Sequence, residues 1–475
     1  MHDCYENPLC RRYAGIKMQT VFSDDTKFST WRRLWLALAE SEKELGLPIS
    51  DEQLDEMRAH LTDINYKDAD AAEREVRHDV MAHIHAYGKQ CPAAKPIIHL
   101  GATSCYVGDN TDIIQMRDAL RLVRRLLVNA IDALRVFAER YAALPVLAYT
   151  HFQPAQPTTL GKRACLWLQD LLFDLQQLNF TLSGLRLLGC KGTTGTQASF
   201  LELFEGDHAK VRELENKIAE KMGFSGVYPV SGQTYSRKVD YTVLSVLSGI
   251  AQSAHKFSND IRLMSHMKEA DEPFEQKQVG SSAMAYKRNP MRSERMASLC
   301  RYMISLTQNP AMTAAEQWLE RTLDDSANRR ISIPEAFLAA DGVLTLYINV
   351  ISGLMVFPKM MERRLAAEIP FMATENILMY CVKKGGDRQK LHEAIREHSV
   401  AAGREVKLNG GDNDLLERIA NDPRFGMSDH ELSRIVSAEK LTGRAREQTE
   451  EFCAGVRETL VEYKDLLGVD ATVKV

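Results

Sequence analysis

The sequence lacks the cysteine spacing of a disulfide framework or a zinc ribbon. Its nine cysteines are odd in number and scattered, and none stands in a C-x-x-C motif. This usage indicates a reducing compartment. A charge excess is also missing, because the formal net charge is only -4 at pH 7. No global basic field would therefore gather nucleic acid or coat a membrane, and an anionic ligand would need a local cluster of Arg and Lys.

Long hydrophobic runs are missing as well. The first ten residues are polar and no apolar run follows them, so we expect no signal peptide. No apolar stretch approaches the roughly 20 residues that span a bilayer. Hydrophobic residues make up 45% and charged residues 26% of the chain, a composition typical of a globular enzyme. We predict a cytoplasmic enzyme, with a length of 475 residues that favours two or three domains.

The strongest pattern that is present is helical. Over residues 111–141 apolar side chains recur in alternating steps of three and four without a proline, which predicts one long bundle helix. Similar stripes predict long helices over about 163–188 and 239–267, and shorter helices are expected over 30–45 and 68–86. The β-branched runs near Val146 and at 227–230 are short and lie beside proline, so they predict little strand.

These patterns predict an all-α fold of three domains. We expect an N-terminal helical domain at 1–110, a central long-helix bundle at 111–357 and a C-terminal helical domain at 358–475. The last of these is broken by Gly-Gly pairs at 385–386 and 410–411.

Four polar blocks punctuated by Gly or Pro interrupt the helical pattern. They are Arg77-His78-Asp79, the run 101–104 (Gly-Ala-Thr-Ser), the run 150–154 (Thr-His-Phe-Gln-Pro) and the run 280–290 (Gly-Ser-Ser-Ala-Met-Ala-Tyr-Lys-Arg-Asn-Pro). Loops on a rigid scaffold are where binding groups concentrate. A metal site at His78, His83 and His85 is disfavoured, because spacings of five and two do not stack ligands on one helix face.

The run 280–290 resembles the signature loop of the fumarase/aspartase superfamily, and the other blocks match that superfamily in the same order. Within it, the chain most closely resembles the animal-type adenylosuccinate lyases, from Arg12-Tyr13 through 321–326 to 410–414. The resemblance implies a homotetramer whose core is the central bundle and whose active sites are shared between subunits. It also implies elimination of fumarate from succinylated purine nucleotides, with no metal and no cofactor. One departure is Ala285, where the superfamily loop usually has Pro, and this should affect loop closure more than proton chemistry.

The resemblance also implies roles for the polar side chains. Ser281 would be the general base, with Lys287 stabilising the alkoxide and the developing carboxylate charge. His151 would be the general acid, because imidazole exchanges protons near neutral pH. His78 would contact substrate and support His151, beside Asp79. Taken alone, Ser281 could be part of a polar turn, His151 a turn cap, and the run 77–79 an exposed ion-pair run on a helix.

The remaining predicted contacts would hold the anionic substrate, for which fork-shaped Arg donors are apt. The nucleotide and its phosphate would be held by Arg12, Tyr13, Arg321, Ser326 and Arg330. Thr103 and Ser104 would hold the succinyl carboxylates, and Arg295 and Gln233 would make further contacts with the substrate. The predicted substrate-binding residues are Arg12, Tyr13, Arg77, His78, Asp79, Thr103, Ser104, Gln233, Lys287, Asn289, Arg295, Arg321, Ser326 and Arg330.

Helix length alone adds an inference about assembly. Ser104 lies just before the helix predicted at 111–141 and His151 lies just after it, so a straight helix would separate them by tens of ångströms. Gln233 and Ser281 flank another long helix in the same way. If all four surround one small substrate, the site must be assembled from different chains.

Three rival interpretations remain open from the sequence. The first is another fumarate-releasing lyase of the superfamily, such as argininosuccinate lyase, although Arg12-Tyr13 and the block 321–330 suit a nucleotide phosphate. The second is a catalytically silent structural homologue, against which the presence of Ser281, His151 and Lys287 argues. The third is a helical scaffold, which leaves the interspersed Ser, His and Arg blocks unexplained.

Overall fold

Helices dominate the computed structural model, which describes residues 3–275, 278, 283–284 and 286–473. The predicted base Ser281 and the departure at Ala285 lie outside the described residues. Among the described residues the strands form two short antiparallel pairs, so the all-α prediction is confirmed. The long helices of the chain pack around a main hydrophobic core, as in helix-bundle folds.

The N-terminal part consists of short helices around one longer helix. The predicted helix at 30–45 is present within α2, but the single helix predicted at 68–86 is wrong. Arg77 takes a left-handed conformation with φ 55°, and His78 starts a new helix by accepting the Met81 N–H at its Nδ1. The elements are a π-helical turn Leu9–Tyr13, α1 Ile16–Val21, α2 Asp24–Glu44, α3 Asp51–Ala59, α4 Tyr66–Val76 and α5 Asp79–Gln90.

The central part is a bundle of long helices. All three predicted long helices are present, as α6, α7 and α10. Helix α6 begins seven residues before its predicted start, and the other bounds agree to within four residues. The elements are α6 Ser104–Arg140, β1 Pro145–Thr150, β2 Gln153–Thr159, α7 Leu160–Gly184, α8 Ala198–Leu203, α9 His208–Lys221, α10 Lys238–His266, β3 Ala270–Asp271, α11 Met291–Leu306, α12 Gln308–Ala315 and α13 Asp325–Gly353.

Helix α13 lies in the middle of this bundle. By length and composition it could cross a membrane, but 78% of its most apolar window is buried inside the protein. It packs against α6, α10 and α11 and carries the buried Asp325, Arg329 and Asp341. We therefore describe α13 as the core helix of the bundle.

The C-terminal part has a small core of its own. Buried residues from Ala373 to Leu432 form this second core, whereas Cys453, Val456 and Leu460 of α20 join the main core beside α6 and α7. The elements are β4 Met355–Val356, α14 Pro358–Met372, α15 Thr374–Lys383, α16 Arg388–Arg404, a π-helical turn Glu405–Asn409, α17 Leu415–Ala420, α18 Asp429–Ile435, α19 Ala438–Leu441, α20 Ala445–Leu460 and a 3₁₀ helix Val461–Leu466. The division at 110 and 357 stays a prediction.

Candidate functional site

The first group of predicted residues meets at the N-terminal end of α6. Thr103 is the N-cap residue and Ser104 the first residue of this 37-residue helix, whose terminal N–H groups and dipole favour an anion. Ser104 Oγ lies 3.2 Å from His78 Nε2. Because His78 Nδ1 accepts the Met81 N–H, a neutral ring carries its proton on Nε2 and donates to Ser104.

Asp79 connects this point to α13. Its Oδ1 accepts the Val80 N–H at 2.8 Å, and its Oδ2 accepts from Arg330 at 3.1 Å. The Arg330 side chain is 64% exposed, so one guanidinium edge remains open to an incoming anion. Arg77 is exposed in the left-handed turn just before His78. The interpretation of 77–79 as a run within one helix is therefore wrong, because the three residues form the junction of α4 and α5.

Arg321 and Ser326 lie at the start of α13, next to this junction. The Arg321 guanidinium donates to Asp325 Oδ1 at 2.8 Å, and the Ser326 N–H donates to the Leu323 carbonyl. Gln233 is tied to the same segment, because its N–H donates to the Glu320 carbonyl at 3.1 Å. The structure thus brings together predicted residues from four separate stretches of the sequence: His78, Asp79, Ser104, Gln233, Arg321, Ser326 and Arg330.

A buried ion network beneath this group was missed by the sequence interpretation. Arg237 donates from Nε to Asp325 Oδ2 at 2.7 Å and from its two terminal nitrogens to Asp109 at 2.9 and 3.2 Å. Arg329 donates to Asp240 Oδ2 at 2.6 Å and pairs with Asp112 at 2.9 Å. The sequence signals were charged residues at the starts of the α6 and α10 stripes, together with Asp324 and Asp325 among the arginines of the block 321–330, and none of these says how the charges pair.

The pKa values in this network follow from burial and pairing. Burial alone would raise the pKa of Asp325, but the Arg237 and Arg321 guanidinium groups outweigh it and hold that pKa below its ordinary value. Burial raises the pKa of Asp112, against the opposing effect of Arg329. Asp325 is therefore a stable carboxylate between two guanidinium groups.

A second group of predicted residues surrounds a cavity beside the middle of α6 and α13. Arg12, Tyr13 and Arg295 line this cavity of about 350 Å³, together with Leu122 of α6 and other residues. The Arg295 guanidinium lies 5.9 Å from the centre of the Tyr13 ring. Burial lowers the pKa of Arg295, as does the positive charge of Arg12. The cavity can therefore hold an anionic or aromatic group against two guanidinium groups.

The described part of the signature loop leads into α11. The Lys287 side chain is exposed, and Asn289 is half-buried at the edge of a small cavity that Asp271 and Glu272 also line. Glu272 accepts the N–H groups of Arg292 and Ser293 at 2.9 and 2.6 Å, which fixes the start of α11.

His151 stands apart, on the tip of the β1–β2 hairpin. Thr150 pairs with Gln153, so His151 and Phe152 are the two turn residues, with φ of 52° and 57°. Such turns normally use Asn-Gly, and each non-glycine residue in this region carries strain on the order of 1–3 kcal/mol. Both side chains are exposed. His151 thus lies in a turn before Pro154, as the alternative interpretation also has it, and its role as the general acid stays a prediction.

Within one chain the predicted residues thus fall into three groups spread along the bundle, apart from Lys287 and Asn289 in the described part of the signature loop. Ser104 starts α6, Leu122 marks the cavity near its middle, and the hairpin with His151 follows its end. At about 1.5 Å per residue, the 37 residues of α6 span roughly 55 Å. The structure does not bring His151 to His78 and Ser104 in one chain.

Of the two other histidines in the disfavoured metal site, His85 is exposed and His83 lies in the core. His83 is buried and stacks on Phe28 with ring centres 3.7 Å apart. Burial, followed by the charges of Arg32 and Lys27, lowers the pKa of His83 to about 4. Among the described residues, no group of three His, Cys, Asp or Glu side chains is arranged to hold a metal ion.

Comparison with known proteins defines the class and then the family. A family model described as "Lyase" matches residues 36–304, and one described as "Adenylosuccinate lyase C-terminus" matches residues 370–452. The crystal structure of 3-carboxy-cis,cis-muconate lactonizing enzyme from Pseudomonas putida has the same fold, with a TM-score of 0.83, 22% identity and coverage of 95% of this chain and 99% of that one. The fold and the first family model therefore define a lyase of the fumarase/aspartase class.

Curated relatives give the family itself. The chain is 54% identical to adenylosuccinate lyase of Saccharomyces cerevisiae, covering 95% of this chain and 94% of that protein. It is 47% identical to adenylosuccinate lyase of Schistosoma mansoni, covering 99% of both chains. The chain belongs to the adenylosuccinate lyase family, and the prediction of a lyase is confirmed.

Proposed function

We propose that the protein eliminates fumarate from adenylosuccinate to give AMP, and from succinylaminoimidazole carboxamide ribotide to give aminoimidazole carboxamide ribotide. Family membership supports the reaction class. The observation that carries the assignment to a substrate is the first group of site residues. It combines the N-terminus of a long helix, suited to a carboxylate, with Arg321 and Arg330, suited to a phosphate.

The succinyl end binds at Thr103 and Ser104. Helix N–H groups and the Ser104 hydroxyl stabilise the carboxylate whose negative charge grows as the adjacent C–H proton leaves. His78 donates its Nε2 proton to Ser104 and fixes the direction of that hydroxyl. Asn289 and Lys287 reach the same end from the signature loop of another subunit, because within one chain the 29 residues of α10 separate that loop from the start of α6.

Proton transfer is assigned to Ser281 and His151. Ser281 removes the proton from the carbon beside the carboxylate, with Lys287 stabilising its alkoxide, and His151 protonates the departing nitrogen. The strained turn supports the role of His151, because strain of this kind persists where a side chain must be held in one position. Acid–base transfer and charge stabilisation complete the elimination without a cofactor, and we propose that none is used.

The nucleotide is bound by the remaining predicted residues. Arg321, Ser326 and Arg330 surround the phosphate and ribose from the start of α13, with Gln233 and Arg77 beside them. Arg12, Tyr13 and Arg295 provide a second cationic and aromatic surface at the cavity in the middle of the bundle.

A homotetramer with shared sites follows from the separation of the three groups. One small nucleotide cannot reach groups spread along a helix of roughly 55 Å, so the groups must come from different subunits. Helix α7 supports the assembly, because Leu166, Phe173 and Phe180 recur every seven residues and are 50%, 57% and 72% exposed. Such a stripe is suited to pack against helices of another copy. We propose that the enzyme acts in the cytoplasm.

An absorbance assay with adenylosuccinate tests the reaction. The wild type should release fumarate, while Ser281→Ala and His151→Ala should each fall by at least about 10²-fold, as expected for lost acid–base catalysis. A wild type without turnover would identify a silent homologue, and variants with near-native turnover would remove the assigned roles.

Mixing inactive variants tests the shared site. His151→Ala and Arg321→Ala belong to different groups, so subunit exchange should restore about a quarter of the sites by random assortment. His78→Ala mixed with Arg321→Ala is the matched control. Both changes fall in the first group, so no mixed site regains an intact copy of that group. Equal recovery in the two mixtures, or a fully active monomer on dilution, would contradict the assembly.

A further inference from the structure

The buried Arg237 side chain connects the starts of three long helices. It precedes α10, and its guanidinium group donates to Asp109 on α6 and to Asp325, the first residue of α13. Arg237 is only 2% exposed and Asp325 only 1%. These bonds join charged groups out of contact with water, where hydrogen bonds are strong and a missing partner is costly.

The carboxylate of Asp325 has two different guanidinium partners. Its Oδ2 accepts from Arg237 at 2.7 Å, and its Oδ1 accepts from Arg321 at 2.8 Å. The Arg321 side chain is 23% exposed and is therefore the one member of this chain of contacts that reaches the site. The other end of the chain is Asp109, five residues after Ser104 on the same rigid helix.

We propose that Asp325 and Arg237 are positioning residues that set the spacing between the carboxylate-binding start of α6 and the phosphate-binding Arg321. The proposal rests on the proposed function. A substrate that carries a succinyl group at one end and a phosphate at the other needs that spacing fixed, because an error of about 1 Å weakens both contacts. Three salt bridges therefore link Arg321 to α6: Arg321 to Asp325, Asp325 to Arg237, and Arg237 to Asp109.

Asp325 could act on Arg321 through its negative charge or by holding the guanidinium group in place. The two roles predict opposite effects of a substitution on phosphate binding. Were Asp325 only a negative neighbour, Asp325→Asn would leave Arg321 less neutralised and bind the phosphate more tightly. If Asp325 positions Arg321, the same change releases the guanidinium and weakens binding. We expect the KM for adenylosuccinate and the inhibition constant of AMP to rise about tenfold, or about 1.4 kcal/mol. The turnover number should change less than about threefold, and inhibition by fumarate should stay unchanged.

Asp240→Asn is the matched control. Asp240 is fully buried in the same network and binds Arg329 at 2.6 Å and the Tyr235 hydroxyl at 2.6 Å, but it does not contact Arg321. The Asp240→Asn variant should lower the melting temperature as Asp325→Asn does, but it should leave the affinity for AMP unchanged. Arg237→Lys is a second variant, because it keeps the charge but cannot bridge Asp109 and Asp325 with a fork.

The outcomes separate this proposal from the proposed function. A tenfold loss of AMP affinity in Asp325→Asn or Arg237→Lys, with normal AMP affinity in Asp240→Asn, would support the positioning role. Unchanged or tighter AMP binding in the folded variants, or an equal loss in all three, would overturn it while leaving the lyase assignment intact. If the wild type did not convert adenylosuccinate, the proposed function itself would fail.

Discussion

Glu42 is a buried acid whose replacement should change how stability depends on pH. It lies on α2 with no exposed surface, and neither carboxylate oxygen has a hydrogen-bond partner among the described residues. Burial raises its pKa to about 9, from an ordinary 4.5. The folded protein therefore keeps Glu42 protonated near neutral pH, whereas the unfolded chain ionises it.

The sign and size of the effect follow from these two values. Between pH 4.5 and 9 the folded state binds one more proton than the unfolded state, so stability falls as pH rises. The slope is about 1.4 kcal/mol per pH unit, which accumulates to about 3 kcal/mol by pH 7. Glu42→Gln keeps the shape and cannot ionise, so it should remove this part of the slope.

Urea unfolding at pH 5, 6, 7 and 8 measures the difference between Glu42→Gln and the wild type. The stability gained by the variant should grow steadily with pH. Glu44→Gln on the same helix is the control, because Glu44 is exposed and its pKa is lowered by hydrogen bonds from Lys221 and Lys217. Its contribution is present above the ordinary pKa and constant from pH 5 to 8. Parallel curves for Glu42→Gln and the wild type would refute the reasoning.

Two further predictions concern the space for a side chain at two glycines and the protonation of a buried histidine. Gly195→Ala should destabilise the protein more than Gly192→Ala in thermal unfolding: both glycines have positive φ, but a Cβ at Gly195 would lie 1.9 Å from the Ser231 carbonyl oxygen and one at Gly192 meets nothing closer than 3.9 Å. Equal losses would contradict this steric difference. His83→Phe should flatten the acid side of the stability curve, because His83 stays neutral in the fold down to about pH 4 while the unfolded chain takes up a proton below about 6.5. If the unfolding midpoints of His83→Phe and the wild type differed by the same amount at pH 4.5 and at pH 7, that role would be excluded.

The long helices could be predicted from the sequence where one face is apolar and the other polar. This holds for α6, α7 and α10, whose stripes gave their bounds to within four residues except at the start of α6, where the first seven residues were not predicted. Helix α13 was not predicted, because it is apolar on nearly all faces and a fully buried helix shows no periodic stripe. The break at Arg77 was also missed, because a single left-handed residue leaves the surrounding helical composition unchanged.

The candidate site was predictable in its residues but not in its arrangement. Motif resemblance singled out His78, Ser104, Arg321 and Arg330, and the fold places them at one end of the bundle. The same resemblance could not reveal Asp325 and Arg237 as partners, because a buried ion pair depends on contacts between residues about 90 positions apart. Pairing of this kind leaves no local pattern for periodicity or composition to detect.

The position of His151 extends this reasoning to the assembly. A strained two-residue turn costs stability in the isolated chain, yet here it projects an exposed imidazole and a phenyl ring that stays 62% exposed although its centre lies 5.9 Å from that of the Tyr149 ring. The exposed stripe on α7 is likewise unfavourable in a monomer. Both features become favourable together if neighbouring subunits cover the stripe and if the hairpin of one subunit reaches the start of α6 in another. The chain therefore has the features expected of one part of a shared catalytic centre. Leu166→Glu on the α7 stripe should abolish tetramer formation and activity together, which sedimentation and a fumarate-release assay on the same sample would measure.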